Sequence, residues 1–449
     1  MRAQLNLPTL ETSALERRAH RTIHYLGSKL RFLDFIKEIA DELDPKNGHI
    51  IDLFAGSGAV SRHFSKSRRV ISADIQEYSR VICSALMQPR FISTMDEIET
   101  FVKQRRSAYI SLLLPLIELE DRILHGQAPS EDLAAHFLES CSIYTQLTSP
   151  RKNIPPSIQA PLSEVAKFIS SREKEDLLIT RYFGGVFFSF EQSIELDALL
   201  DYAHLAPVHE RDTLLSCVLG TASDIANTVG KQFAQPLQPR SRSGEPKPGL
   251  VARMKRDRTI SVLDTFGKRL ARSKENDSSD LGHLQLRADF RRVLESYACE
   301  ASIIYADPPY TRDHYSRFYH ALETIALADF PEVTKSKRNG EIRISRGLYR
   351  ANRYQSEFCI KSTAPAAFRD LFQLAARNNS ALLLSYSPFS KADGAHPRVV
   401  ELEDLIYWAE QSFNSVEIKS PGLFSHSRLN KRDLHLKSGD SSEVLVVCK

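Results

Sequence analysis

Apolar positions along the chain follow two rhythms, and the changes between them divide it into elements. From Leu30 to Leu43 the residues Phe32, Phe35, Ile36, Ile39 and Leu43 recur at helical spacing and share one face. His49-Ile50-Ile51-Asp52-Leu53 is a nearly unbroken apolar run, which predicts a buried strand. It runs into Phe54-Ala55-Gly56-Ser57-Gly58, a tight glycine turn, and then a helix from Val60 to Phe64. Arg69 to Asp74 reads as a second strand that ends in an acid, so the three elements form a β-α-β unit.

From about Tyr78 to Val229 the rhythm is helical, with apolar faces through Ile98–Ile123, Leu133–Leu147, Val165–Leu178 and Ile194–Leu205. Pro155-Pro156 and Pro207 punctuate these faces, and no tandem repeat is visible. Strand-like sequence resumes at Leu284–Phe290 and at Ile303–Tyr310, then at Ala381–Tyr386. Ser415–Ile418 and Glu443–Val447 read as a terminal antiparallel pair. Strands separated by helices predict an α/β fold, a doubly wound, mostly parallel Rossmann-like sheet. The helical block is then a large insertion, giving a discontinuous domain over 1–86 and 284–449 and a second region over 87–283.

Composition narrows the class. A length of 449 residues accommodates two or three domains with a real core. The formal charge of +4 is only mildly basic, so its distribution says more than its size. Between Arg240 and Lys274 there are eleven Lys/Arg against three acids, and Pro236, Pro239, Pro246 and Pro248 make the first part extended. Such a run is either a solvated linker or a phosphate-contacting segment. The six cysteines include no Cys-x-x-Cys pair, which argues against zinc and disulfides and suits a reducing cytoplasm. Met1 to Arg18 has no apolar core for a signal peptide, and no run approaches a membrane span. A soluble cytoplasmic protein is expected.

Three places carry chemistry. Ile303-Ile304-Tyr305-Ala306 ends abruptly in Asp307-Pro308-Pro309-Tyr310. Proline fixes φ, lacks an N–H and keeps the preceding residue extended, so the strand must stop at Asp307 in a stiff loop. That loop offers a carboxylate, a proline carbonyl and a flat ring at the strand's carboxyl end, where open α/β sheets bind ligands. These groups suit a planar base held by its exocyclic amine, while the bland reading is a turn over a packed tyrosine. In the Phe54–Gly58 turn, Gly56 and Gly58 allow close approach to the backbone, and the absence of a third glycine favours an uncharged ligand over a pyrophosphate. Asp74, at the end of the neighbouring strand, reads as a ribose-hydroxyl acceptor or as a helix N-cap.

Taken together, these pieces resemble the N6-adenine-specific DNA methyltransferases, the Dam-like alpha group of the D12 class, over roughly 22–86 and 284–449. Tyr25-Leu26-Gly27-Ser28-Lys29 is similar to the family's amino-terminal cofactor motif, although Ser28 stands where a second glycine is common. Asp52, Phe54, Ala55, Gly56 and Gly58 match the glycine motif and Asp74 the ribose-binding acid. Asp289-Phe290 resembles the pair that meets the cofactor's adenine. Asp307, Pro308, Pro309 and Tyr310 match the catalytic motif at every position, and the motifs stand in the family's order.

The resemblance implies methyl transfer from S-adenosylmethionine to the N6 amine of adenine in double-stranded DNA, on a base flipped from the duplex, without a metal. It implies that Tyr25 and Phe54 pack around the cofactor, that Lys29 lies near its methionine carboxylate, and that Tyr310 stacks on the base. A cognate restriction or defence partner is a further expectation, and no membrane is involved. The alternatives are adenine in RNA, N4 of cytosine, or a non-catalytic DNA-binding module. For nucleic-acid contact the candidates are Arg240, Arg242, Lys255 and Arg256 in the basic segment. Arg312 and Arg317 join them, in the cluster of His314, Tyr315 and Tyr319 after the catalytic loop. Within 87–283, Tyr182–Phe188 reads as core or interface, and Asn227, Lys231 and Gln232 as base or phosphate contacts or a polar loop.

Overall fold

A computed structural model describes residues 21–27, 29–90, 93–126, 130–171, 177–275, 280–311, 315–338, 341–377, 380–387, 398–421 and 443–449. Its strands are β1 (His49–Leu53), β2 (Val70–Asp74), β3 (Leu284–Arg287), β4 (Ala301–Ala306), β5 (Lys335–Arg338), β6 (Glu341–Ile344), β7 (Ala381–Tyr386), β8 (Val416–Lys419) and β9 (Val444–Cys448). β5 and β6 form a separate hairpin. The other seven make one sheet in the order β3-β2-β1-β4-β7-β9-β8. β3, β2, β1, β4 and β7 run parallel, and β9 is antiparallel to both β7 and β8.

Side chains alternate across a strand, so each central strand feeds two cores. Ile51, Leu53, Ile304, Ala306, Leu382 and Leu384 pack with Phe290, Phe368 and Phe372. Ile50, Ile303, Tyr305 and Leu383 pack on the other side with Ile36, Ile39 and Phe64. Burial on both faces is why these strands read as continuous apolar runs. The strand order reverses between β1 and β4: the chain proceeds to β2 and β3 on one side and to β7 on the other. In open parallel sheets the crevice at such a reversal holds the ligand.

Residues 75–283, between β2 and β3, are mostly helical. The Ile98–Ile123 pattern lies inside one 31-residue helix, Met95–His125, started by a capping box of Thr94 and Glu97. The Leu133–Leu147 pattern is broken into Glu131–Ser140 and Ile143–Thr148, because Ser142 caps a new helix by accepting from the Thr145 N–H. Pro156 opens its helix, Pro156–Ser170, at the first turn, where a missing N–H costs nothing. The helix read from Ile194 starts earlier, at Phe190, behind the Ser189–Gln192 capping box.

Two sequence readings change here. The stretch 240–274 is not a loose linker throughout: helices Leu250–Arg258 and Val262–Lys274 bury Leu250, Met254, Val262, Phe266 and Leu270. β3 ends at Arg287, and Asp289 caps helix Phe290–Tyr297 by accepting from the Arg291 N–H, so the strand read through Phe290 stops three residues sooner. Tyr182 to Phe188 is core, every residue buried. Tyr78, Val81 and Ile82 of helix Glu77–Met87 share one hydrophobic cluster with Leu214 and Val218 of helix Val208–Ile225 and with Tyr319 and Leu322. Among the described residues no helix is long and apolar enough to cross a membrane.

Candidate active site

β1, β2 and β4 end side by side, and their ends wall an open cavity with about 1040 Å³ of atom-free space counted to its mouth. Its lining brings together Tyr25, Gly27, Lys29, Phe54, Asp74, Asp289, Phe290, Asp307, Pro308, Pro309 and Tyr310, all expected from sequence. Leu53, Gln76, Tyr78, Tyr315, Tyr354 and Cys359 also contribute.

At the end of β1 the chain turns through Phe54 with φ +61°, a left-handed conformation that costs a side-chain-bearing residue strain. The turn is held by Phe54 packing on Phe290 and Phe358, with ring centres 5.7 and 5.2 Å away. Gly56 follows at φ +53°, and a Cβ there would overlap the Tyr25 hydroxyl. Tyr25 stacks on Tyr319 at 4.9 Å, and the Tyr319 hydroxyl accepts from the Leu26 N–H at 2.6 Å. The amino-terminal motif and the glycine turn are thus packed against each other. Gly56, Gly58 and Ala55 shape the turn without lining the cavity.

Asp52 also lies off the cavity. It alternates with Leu53 on β1, so it faces helix Ala59–Ser65 and accepts from Ser61 Oγ at 2.5 Å. Burial raises its pKa to about 7. Asp74 combines the two roles considered for it. Its carboxylate accepts from the Gly56 N–H at 3.0 Å and the Gln76 N–H at 2.9 Å, tying the two strand ends together while lining the cavity. Burial raises its pKa despite these bonds.

The Asp307 loop is pinned just beyond Pro308. The Pro309 carbonyl accepts from Cys359 Sγ at 3.3 Å and the Tyr310 carbonyl from the Val399 N–H at 3.1 Å. Among the described residues the Pro308 carbonyl has no donor. Tyr310 packs on Tyr386, ring centres 4.6 Å apart. Behind the loop, Lys29 Nζ lies 3.0 Å from Asp307 and also pairs with Glu443, which accepts from Ser385 Oγ. Lys29, expected near a cofactor carboxylate, lines the cavity, and its ammonium bridges the half-buried Asp307 and the buried Glu443. Burial and the Glu443 charge push the Asp307 carboxyl up to about 6, against the pull of Lys29. Carboxylates outnumber cations around the cavity, which favours a positively charged ligand. Glu443 escaped the sequence reading because it is remote in the chain and arrives only through β9.

Residues 25–120 and 264–362 match the sequence model of the family described as D12 class N6 adenine-specific DNA methyltransferase. Over those residues the chain is similar to this D12 class. It is 23% identical over 367 residues to the type II methyltransferase M.FokI of Planomicrobium okeanokoites, covering 81% of this chain and 44% of that protein. It is 26% identical over 385 residues to the modification methylase LlaI of Lactococcus lactis subsp. lactis, covering 86% and 48%. The chain therefore spans just under half the length of both relatives.

The remaining candidates for nucleic-acid contact are dispersed. Arg240 pairs with Glu139 at 3.2 Å and Asp132 at 3.0 Å, and Arg256 with Asp257 at 3.0 Å. Arg242 and Lys255 are exposed. Arg312 and His314 lie outside the described residues, and Arg317 is exposed. Asn227 is buried and bonded to Asp257 and Arg258, and Lys231 pairs with Asp257, so both serve the interior.

Proposed function

We propose that this chain transfers a methyl group from S-adenosylmethionine to the N6 amine of adenine in double-stranded DNA, with the target base flipped into the cavity. The observation that carries the reading is the meeting of Asp307 and Pro308 with Asp74 and Tyr25 in one cavity. An N6 amine is a poor nucleophile because its lone pair is delocalised into the ring. Asp307 and the Pro308 carbonyl each accept one amino hydrogen and draw both out of the ring plane, which leaves the lone pair free to attack. This is positioning and electrostatic complementarity. Lys29, braced by Glu443, orients the Asp307 carboxylate and favours its charged, accepting form. Tyr310 stacks on the base.

The lining supports S-adenosylmethionine as the cofactor: in this reading Asp74 takes the ribose hydroxyls and Asp289 and Phe290 the adenine, and the excess of carboxylates suits a cationic ligand. When bound, that cofactor supplies the electrophilic methyl group. A base within a duplex cannot reach such a recess, so flipping is required. We assign catalysis to 1–86 and 284–449, in a doubly wound sheet, and target recognition to the helical insertion 87–283, most of which lies outside the family match. The relatives' names, a type II methyltransferase and a modification methylase, support a modification role; a restriction partner and a cytoplasmic location are part of the proposal.

The test is transfer of labelled methyl groups to DNA and RNA, followed by identification of the modified nucleoside. N6-methyladenine in DNA is expected; label in N4-methylcytosine or confined to RNA would replace this reading. Asp307→Ala should lower transfer by about 10²–10³-fold or more, with cofactor affinity retained. Undiminished transfer by that variant would remove Asp307 from catalysis.

A further inference from the structure

Between Lys335 and Arg353 the sequence holds seven Lys/Arg and one acid, Glu341, in a segment to which no role has yet been given. It joins the site through Tyr349. The Arg317 guanidinium lies 4.8 Å from the centre of the Tyr349 ring, and one of its nitrogens is 3.3 Å from the hydroxyl. Arg353 lies 5.2 Å from the same ring centre and donates to Thr334 Oγ1 at 3.3 Å and the Arg350 carbonyl at 3.1 Å. Each arginine adjoins a cavity wall in sequence: Ser316 precedes Arg317, and Tyr354 follows Arg353.

Tyr349 is a fixed platform. It is buried, its hydroxyl donates to the Ala234 carbonyl, His320 meets its ring edge-on at 5.0 Å, and Gly347 packs so closely that a Cβ would come within 2.6 Å of Cζ. Among the described residues no carboxylate forms an ion pair with Arg317 or Arg353. Burial and the Arg317 charge lower the Arg353 pKa. Past the ring, Arg346 donates to the Leu237 carbonyl at 2.6 Å and Gln238 at 3.4 Å.

The two guanidiniums on this rigid ring pair with no carboxylate among the described residues, and planar guanidinium forks suit phosphate oxygens two at a time. We propose that this row, Arg317 and Arg353 on Tyr349 continued by Arg346, grips the phosphate backbone of duplex DNA beside the base held at Asp307. The inference rests on the reading of the chain as a DNA adenine methyltransferase and adds where the DNA backbone lies. The row leads from the cavity wall to the helical stretch, so a strand held along it would reach both.

The experiment measures the dissociation constant of the full chain for a mixed-sequence DNA duplex as a function of salt. It compares wild type with the double variant Arg317→Gln/Arg353→Gln. The pair is expected to weaken binding about tenfold or more and to reduce the salt slope by about two. Cofactor affinity and far-UV circular dichroism should stay at wild-type values. Arg317→Lys/Arg353→Lys should restore the slope but only part of the affinity, because the forks are lost. If a double variant misfolds, Arg317→Gln alone, an exposed change, should lower the slope by about one. A wild-type slope in folded variants overturns the row, even in an enzyme active on DNA adenine. Absence of DNA methylation by the wild type, with reduced slopes in the variants, supports the row and counts against the functional reading. Tighter binding of duplex RNA than of DNA, lost in the same variants, overturns the assignment to DNA.

Discussion

Arg240, Arg256, Arg258 and Arg269 lie where the sequence concentrates positive charge, and each is met by a carboxylate: Glu139, Asp257, Glu120 and Asp224. Arg317 belongs to the cluster after the catalytic loop and Arg353 to a segment given no role from sequence, and among the described residues no carboxylate pairs with either. The first region uses arginine to hold helices together. Arg258 is the extreme case, fully buried, with its guanidinium on Glu120 at 2.5 Å, Asn227 at 3.0 Å and the Gly185 carbonyl at 3.0 Å. The second region holds its charge in reserve beside the cavity. A local excess of Lys and Arg is therefore a poor guide to a phosphate site; whether the charge is already spent on internal acids decides availability.

The largest effect expected from breaking this contrast is on stability. Arg258→Ala strands Glu120 without its counter-ion and should cost about 3–5 kcal/mol, read as the denaturant midpoint. A loss below about 1 kcal/mol would mean that the buried pair does not hold the helices. Asp74→Ala should act on the cofactor instead, because it removes charged acceptors worth about 1.5–3 kcal/mol each. S-adenosylmethionine affinity should fall about 10–100-fold while the salt dependence of DNA binding keeps its wild-type slope. Unchanged cofactor affinity by calorimetry would take Asp74 out of the site.

A smaller effect appears in pH dependence. In the proposed reaction Asp307 accepts amino hydrogens best when ionised, and burial raises its pKa to about 6, so single-turnover transfer should fall as pH drops through that region. The Glu443 charge contributes to the rise. Glu443→Gln removes a like charge, lowers the Asp307 pKa and should move the acid limb to lower pH. A limb displaced upward, or unmoved, would break the proposed link through Lys29. The smallest effect belongs to Arg240→Gln. Its pairs are partly exposed, so stability should change by less than about 1 kcal/mol and the DNA salt slope by well under one. A slope loss equal to that of Arg353→Gln would erase the distinction between the two regions.

The sequence by itself determined the strand ends and their chemistry. Prolines after Asp307, glycines after Phe54 and an acid closing β2 are local constraints on φ, hydrogen bonding and side-chain reach, and they hold wherever the chain goes. The order of those motifs was enough to expect one crevice at the strand reversal, and eleven expected residues line it. Tertiary structure alone decided the rest. Asp52 faces away because side chains alternate along β1, and Glu443 reaches Lys29 because β9 inserts beside β7. Arg240 and Arg258 are neutralised by acids more than a hundred residues away. Pair energies depend on distance and burial, which composition does not encode; only the packed chain fixes which charges are satisfied and which remain for a ligand.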